Sequence, residues 1–392
     1  MSCIRKKPLI TKSEITRATG LTAGTVNTFI GLLTAKKLVL ENGIAESTGG
    51  RRSIIYSLNP KSNYLIGVSL MLDCVVTGLY DYGMSLIDST TSNRTISGRI
   101  ENEAGKMAQS ILELIRKNNI AADKVAGIGI SVPGPVNYQK GVILDLPHIP
   151  GWKNVPLAGM IRENTGFPVL VDNNCNCNVL ALKWNFPEYD QENMVFLSTT
   201  EGIGVGVMIG NAIYRGSRHF AGEIGHITVD PFGAECSCGN HGCIELYAAN
   251  PEICITAEAQ MKKKAGPAFK KLVSNKPVSM EILIQAAKSG DSFALQVLDD
   301  ASRYISICVE NAIKSYDPDC VALNTMWLRE FPDLWTKMVD NVFTSSKFIQ
   351  RDGMKIIPCD IKDLFLAGAA NLVLDHDLDT MNSEGLVQRL SL

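Results

Sequence analysis

The 392-residue sequence has no apolar run approaching the length of about 20 residues that a membrane-spanning helix needs. It also has no apolar N-terminal region of the kind that directs secretion. From these two absences a cytoplasmic protein without membrane insertion is expected. A disulfide framework is missing too. The eleven cysteines are odd in number and scattered along a long chain, unlike the dense even sets of small secreted domains. Cys3, Cys74, Cys254, Cys308, Cys320 and Cys359 are expected as isolated reduced thiols, several of them in the core. Strong net charge is also lacking, with 38 Lys and Arg against 40 Asp and Glu.

The near-neutral total conceals an asymmetry. Residues 1–62 carry ten Lys and Arg against three Asp and Glu, a net +7, and the remainder carries −9. A small basic module on an acidic body points to nucleic-acid contact, set against the plainer reading of a solvated basic face.

Local signals in the basic module agree with the first reading. Thr11-Lys-Ser-Glu14 is a capping box. Ile15 and Ala18 give the helix it opens an apolar face, Gly20 ends it and Leu21 is expected to pack the turn. Thr22 caps a second helix, from Ala23 to about Lys37, with Val26, Phe29, Ile30 and Leu33 at helical spacing. Two capped helices around a Gly-containing turn make a helix-turn-helix, although a helical hairpin in a core shares the pattern. In the DNA-binding geometry Thr22, Ala23, Thr25, Asn27 and Thr28 stand at the groove-entering end of the second helix. Two strand-like runs follow, 38–41 and 53–58, joined through Gly49-Gly-Arg51-Arg52. They read as a wing whose Arg51 and Arg52 reach phosphates or the minor groove. Only ten residues precede Thr11, so the helix that usually opens such a module is expected to be a stub or to lie before this start.

The second concentrated signal is Gly222–Glu245. Cys236, Cys238 and Cys243 fall within eight residues, and His226 lies ten residues earlier. Three Cys and one His are a usual tetrahedral zinc set, and four protein ligands leave no open position for water. One structural zinc is therefore expected. Gly233, Gly239 and Gly242 allow the turns that bring the thiolates to one ion. Glu223 and Glu245 bracket the cluster with no ligand vacancy for them, which suggests a polar pocket beside a metal fastener.

Beyond residue 62 apolar strands alternate with helices. Strands are expected at 64–70, 75–80, 125–132, 169–172, 194–198, 212–214 and 320–323, with a Gly-rich turn at 202–206. Helices are expected at 107–117, after Asn173, and at about 280–289, 291–315, 332–342 and 363–375. The β-rich then helical layout occurs twice, suggesting an α/β body of two lobes.

Together these motifs resemble the ROK family (repressors, open reading frames, kinases), in its winged-helix regulator branch of the NagC/XylR type. The resemblance spans essentially the whole chain. It rests on His226 with Cys236, Cys238 and Cys243, on 221–226, on Val132-Pro-Gly-Pro135, on Pro150-Gly-Trp152, and on Gly20-Leu-Thr22 with the Gly49-Gly-Arg51 wing. It implies an N-terminal winged helix-turn-helix followed by an actin-like two-lobed sugar kinase fold. The corresponding division is 1–62 for DNA binding, 63–185 with about 363–392 for lobe I, and 186–362 for lobe II. It also implies zinc on His226 and the three Cys, and a sugar or sugar phosphate held by Asn173, Asn174, Glu223, His226 and Glu245. Operator DNA and a second copy, as homodimer or homotetramer, are the implied partners.

The kinase members of that family need a carboxylate base, which their Asn-Asp pair supplies. Here the pair is Asn173-Asn174, and an amide cannot take a proton. Asp172 is two residues away and would need a different backbone direction. Kinases also resemble Asp-x-Gly-Gly-Thr at a phosphate turn, where this chain has Ser69-Leu-Met-Leu-Asp73. The glycines that let amides approach phosphate are absent. A glycine pair near the nucleotide is likewise replaced by Asn324-Thr-Met-Trp327. The expectation is a sugar-responsive regulator without phosphoryl transfer. An active sugar kinase fused to a DNA-binding module and a repressor that has lost its effector are the alternatives.

Overall fold

The computed structural model describes residues 1–44, 53–94, 99–146, 149, 151–274, 276–361 and 363–382. The N-terminal module opens with a stub helix α1 (Ser2–Lys6), strand β1 (Ile10–Thr11) and α2 (Lys12–Thr19). The capping box forms in full: the Thr11 hydroxyl accepts from the Glu14 N–H, and the Thr11 N–H donates to Glu14 Oε2 at 2.8 Å. Such a cap is worth about 1 kcal/mol. Gly20, at φ +68°, closes α2 in the left-handed conformation. α3 (Ala23–Ala35) is capped by Thr22 and buries Val26, Ile30 and Leu33. β2 (Val39–Ile44) and β3 (Ile54–Leu58) complete a three-stranded sheet in the order β1-β3-β2. This is a winged helix-turn-helix with its own small core.

The chain divides into two compact units. In the first, the module continues into β4 (Tyr64–Leu70), β5 (Cys74–Asp81), β6 (Leu86–Asn93) and α4 (Ile100–Lys117). β7 (Val125–Val132), a small sheet of β8 (Val136–Asn137), β9 (Val142–Asp145) and β10 (Lys153–Val155), α5 (Leu157–Thr165), β11 (Val169–Asn173) and α6 (Asn174–Asn185) follow. The main sheet runs β11-β7-β4-β5-β6, parallel among its first three strands and antiparallel thereafter. α4 covers it with Met107, Ile111 and Leu114, each contributing about 1.5–3 kcal/mol by burial.

The second unit starts at Gln191. It contains β12 (Met194–Ser198), β13 (Gly204–Ile209), β14 (Ala212–Ile213), α7 (Glu245–Ala248), α8 (Asn250–Lys264), α9 (Pro267–Val273), α10 (Met280–Lys288) and α11 (Ser292–Tyr316). β15 (Cys320–Asn324), α12 (Pro332–Thr344) and β16 (Lys355–Pro358) end it, and α13 (Leu364–Asn382) returns the chain to the first unit. The second sheet runs β16-β15-β12-β13-β14. Its pattern repeats that of the first: three parallel strands, then two antiparallel ones. The expected doubled α/β layout is therefore present. α13 lies against β4 and β7, where a Cβ on Gly129 would sit 1.9 Å from the Ala369 carbonyl oxygen. Only glycine admits that approach. Among the described residues no helix is long and apolar enough to cross a membrane.

Several expectations need correction. Ala18 is exposed, and Leu21 is 43 % exposed instead of packing the turn. α3 stops at Ala35 because Lys37 takes a positive φ. The supposed turn at 202–206 is half strand, since β13 already begins at Gly204. β6 is a strand that the sequence does not announce, because its largely exposed Leu-Ile-Asp-Ser-Thr-Thr-Ser-Asn edge carries no apolar alternation. α8, with Pro251 in its first turn and three lysines at its end, shows little amphipathic contrast and was also not expected.

Candidate metal centre, effector residues and DNA-reading helix

The metal stretch folds as a compact knot in the second unit. A 3-10 turn over Ile224–His226 presents the imidazole. The Cys236 N–H donates to the Asn240 carbonyl at 2.7 Å, and the Gly242 N–H to the Ala234 carbonyl at 2.8 Å, which curls the thiols toward one another. Gly242 takes φ +59°, and a Cβ there would fall 1.6 Å from the Asp230 carbonyl oxygen, so no other residue fits. Ligand atoms of His226, Cys236, Cys238 and Cys243 all lie within 4.8 Å of one another.

The spacing suits a tetrahedral ion. Metal–sulfur bonds of about 2.3 Å at tetrahedral angles hold neighbouring donors roughly 3.8 Å apart. Cys238 Sγ and Cys243 Sγ are 3.7 Å apart, and Cys236 Sγ and His226 Nδ1 are 3.6 Å apart. Burial and the neighbouring thiols push the Cys243 thiol up to about 12. A bound divalent cation reverses that balance by favouring thiolate. The donor set thus fits a divalent ion.

His226 turns its other nitrogen away from the knot, with Nε2 4.0 Å from Glu223 Oε2. Burial raises the Glu223 carboxyl above its usual range; His226 opposes this and Glu245 adds to it. Glu245 opens α7, and its Oε2 accepts from the Ile203 N–H at 2.9 Å. Glu223, His226 and Glu245 therefore belong to one local assembly around the knot.

Asn173 and Asn174 lie in the first unit, at the junction of β11 and α6. Asn173 is the cap of α6, its Oδ1 accepting from the Cys175 and Asn176 N–H groups. Its Nδ2 donates to the Gly134 carbonyl at 3.1 Å. Most of its polar capacity is thus structural. Asn174 Oδ1 accepts from the Cys175 N–H at 2.8 Å. Asp172 is 1 % exposed, and its Oδ1 accepts from the Asn173 N–H at 2.7 Å and from the Asn176 amide at 3.0 Å. Asn176 was not among the expected residues, although its position four beyond Asp172 is a readable signal.

Of the residues expected to contact DNA at the start of α3, Thr22, Ala23, Asn27 and Thr28 are exposed and Thr25 is half-buried. Thr22 Oγ1 and Thr25 Oγ1 are 2.8 Å apart, and the Thr28 hydroxyl donates to the Gly24 carbonyl. Asn27 carries the exposed amide of the set. Arg51 and Arg52 lie outside the described residues.

The ROK family profile matches residues 86–352. The chain belongs to the ROK family. It is 27 % identical to the xylose repressor of Bacillus subtilis (strain 168) over 378 residues, covering 96 % of this chain and 94 % of that protein. It is also 27 % identical to the glucokinase of Thermotoga maritima over 317 residues, covering 80 % of this chain and 98 % of the kinase. A crystal structure of a ROK family transcriptional regulator, homolog of the E. coli MLC protein, shares the fold with a TM-score of 0.82 at 23 % identity. That likeness covers 95 % of this chain and 93 % of the other. The α/β architecture of a winged helix-turn-helix followed by a ROK kinase-like fold is thereby established.

Proposed function

We propose that this ROK protein is a sugar-responsive transcriptional repressor of carbohydrate uptake or catabolism genes, holding its effector without phosphoryl transfer. The reading is carried by one observation: the likeness to the xylose repressor runs through the winged module as well as the body. The glucokinase, by contrast, matches nearly end to end within 80 % of this chain. The state of the would-be base supports the same reading. Position 174 is an amide, and Asp172 is buried and engaged through one oxygen by an N–H and an amide.

In this reading residues 1–62 bind operator DNA through Thr22, Ala23, Thr25, Asn27 and Thr28, with Arg51 and Arg52 on phosphates or the minor groove. Residues 63–185 with about 363–392 form lobe I, and 186–362 form lobe II. Glu223, His226, Glu245, Asn173 and Asn174 bond the hydroxyls of a sugar or sugar phosphate. A structural zinc on His226, Cys236, Cys238 and Cys243 fastens the segment bearing the first three. The protein acts in the cytoplasm as a homodimer or homotetramer, since paired modules read half-sites roughly 34 Å apart. Effector binding shifts DNA affinity to the extent that it favours one conformation over the other.

The test combines thermal shift against a panel of sugars and sugar phosphates with gel-shift assays on DNA upstream of the gene. One panel member is expected to raise the melting temperature and change DNA affinity. No shift with any member and no retained DNA would overturn the proposal. The kinase likeness favours a second reading, an active sugar kinase with a fused module. Robust ATP-dependent turnover of a hexose, lost in Asp172→Ala, would establish it instead.

A further inference from the structure

A hollow of about 780 Å³ lies within the first unit, between the winged module and the body. Ile4 and Arg5 of α1, Leu40 and Asn42 of β2, and Ser57 and Leu58 of β3 line one side. Trp184, Asn185 and Phe186 at the end of α6, Met84 and Ala367 line the other. The volume falls in the range of small-molecule sites, and an apolar wall with few polar groups is their usual composition.

Arg5 is the charged residue of that lining. Its Nη2 donates to Asn185 Oδ1 at 2.7 Å, and its guanidinium carbon stands 6.0 Å from the centre of the Trp184 ring. Among the described residues it forms no ion pair, and its Nε is buried without a hydrogen-bond partner. Burial lowers its pKa to about 10, and Tyr82 and the Asp81 carboxylate oppose that shift. The neighbouring Lys6 differs, being paired with Asp190 at 2.6 Å. A half-buried guanidinium whose side-chain hydrogen bond runs to a neutral amide, with Asp81 acting on it without an ion-pair contact, is incompletely compensated, and an anion beside it relieves that cost. Trp184, which lines the hollow, is fixed in place by its Nε1 bond to Asp375 Oδ1 at 2.8 Å, with Lys183 Nζ 4.8 Å from its ring centre.

We propose that this hollow is a second ligand site, taking a small molecule with an aromatic or other apolar body and one carboxylate, which pairs with Arg5. Its walls come from both the winged module and the body, so an occupant holds the two together. The site is separate from the residues assigned to the sugar, and its test involves neither sugar nor DNA.

The full-length protein is titrated with benzoate, phenylacetate and 1-naphthoate, and with the matching neutral amides, by calorimetry and ligand-observed NMR. At least one acid binds, and its amide binds about tenfold more weakly or worse. Arg5→Met, which keeps a helix-forming stem, removes the preference for acid over amide. Asn42→Trp, which fills the hollow from an exposed strand position, blocks acid and amide alike. Hydrogen exchange of the α1 and β3 amides slows in the presence of the acid. Failure of every acid to bind at millimolar concentration, or binding that persists unchanged in both variants while they remain folded, overturns the proposal.

Discussion

His226 stands between two neighbours with its two ring nitrogens divided: Nδ1 is 3.6 Å from Cys236 Sγ, and Nε2 is 4.0 Å from Glu223 Oε2. A histidine bound to metal through one nitrogen commonly directs the other to a carboxylate, which fixes the ring and its tautomer. One side chain can thus serve the metal knot and the polar face beside it.

Removal of a metal donor should loosen the knot without altering the distant strands. Cys236→Ser is expected to reduce bound zinc well below one per chain. Loss of a structural metal ranks among the largest single-site costs, about 4 kcal/mol or more. A fall of at least roughly 8 °C in melting temperature follows for a unit of this size. Metal analysis and calorimetry on wild type and variant check both numbers.

Glu223→Gln should separate effector binding from metal binding. The variant keeps the side-chain volume and leaves the four metal donors in place. Loss of a charge-assisted hydrogen bond weakens the effector by about 1.5–3 kcal/mol, roughly ten- to 150-fold. Zinc content should stay unchanged. A parallel loss of zinc would mean that Glu223 acts through His226 rather than on the ligand.

The capping box predicts an acid-sensitive winged module. The bonds from Lys7 and Thr11 lower the Glu14 carboxyl to about 2, from an ordinary 4.5. A depressed carboxylate contributes stability that is fully present above the unfolded pKa and lost as pH falls through the folded one. Protection of the α2 amides should therefore decline between about pH 4.5 and pH 2. Glu14→Gln should abolish that dependence. The group is partly solvent-exposed, so the effect is local rather than global.

DNA contacts should sort by kind. Arg51→Ala and Arg52→Ala are expected to weaken binding to any sequence and to reduce the salt slope by about one each. Asn27→Ala should cost about 1–3 kcal/mol at one base position and relax the preference there. Gel shifts across salt concentrations and against single-base operator variants distinguish the two. An unchanged slope in the Arg variants would remove the wing from the interface.

Much of the fold is legible in the sequence because local chemistry dictates it. The capping box, the αL stop at Gly20, the Cys spacing and the buried strands 64–70, 125–132 and 194–198 are written in neighbouring residues. The exposed edge strand β6 was not, because it lacks apolar alternation and depends on pairing with β5 for its form. The Gly-rich segment 202–206 is strand from Gly204 onward and not a turn throughout, because whether glycine belongs to a turn or to a strand depends on the partner strand.

The amino-acid sequence alone determined that position 174 carries an amide and that three thiols and an imidazole could share an ion. Those are matters of chemical identity and short spacing. Only the tertiary structure decided that Asp172 turns inward to Asn176, that Asn173 is occupied as a helix cap, and that His226 divides its nitrogens between Cys236 and Glu223. It also decided that Arg5 meets Asn185, 180 positions away. Side-chain direction and long-range contact follow from how elements pack, and no periodicity along the chain records them.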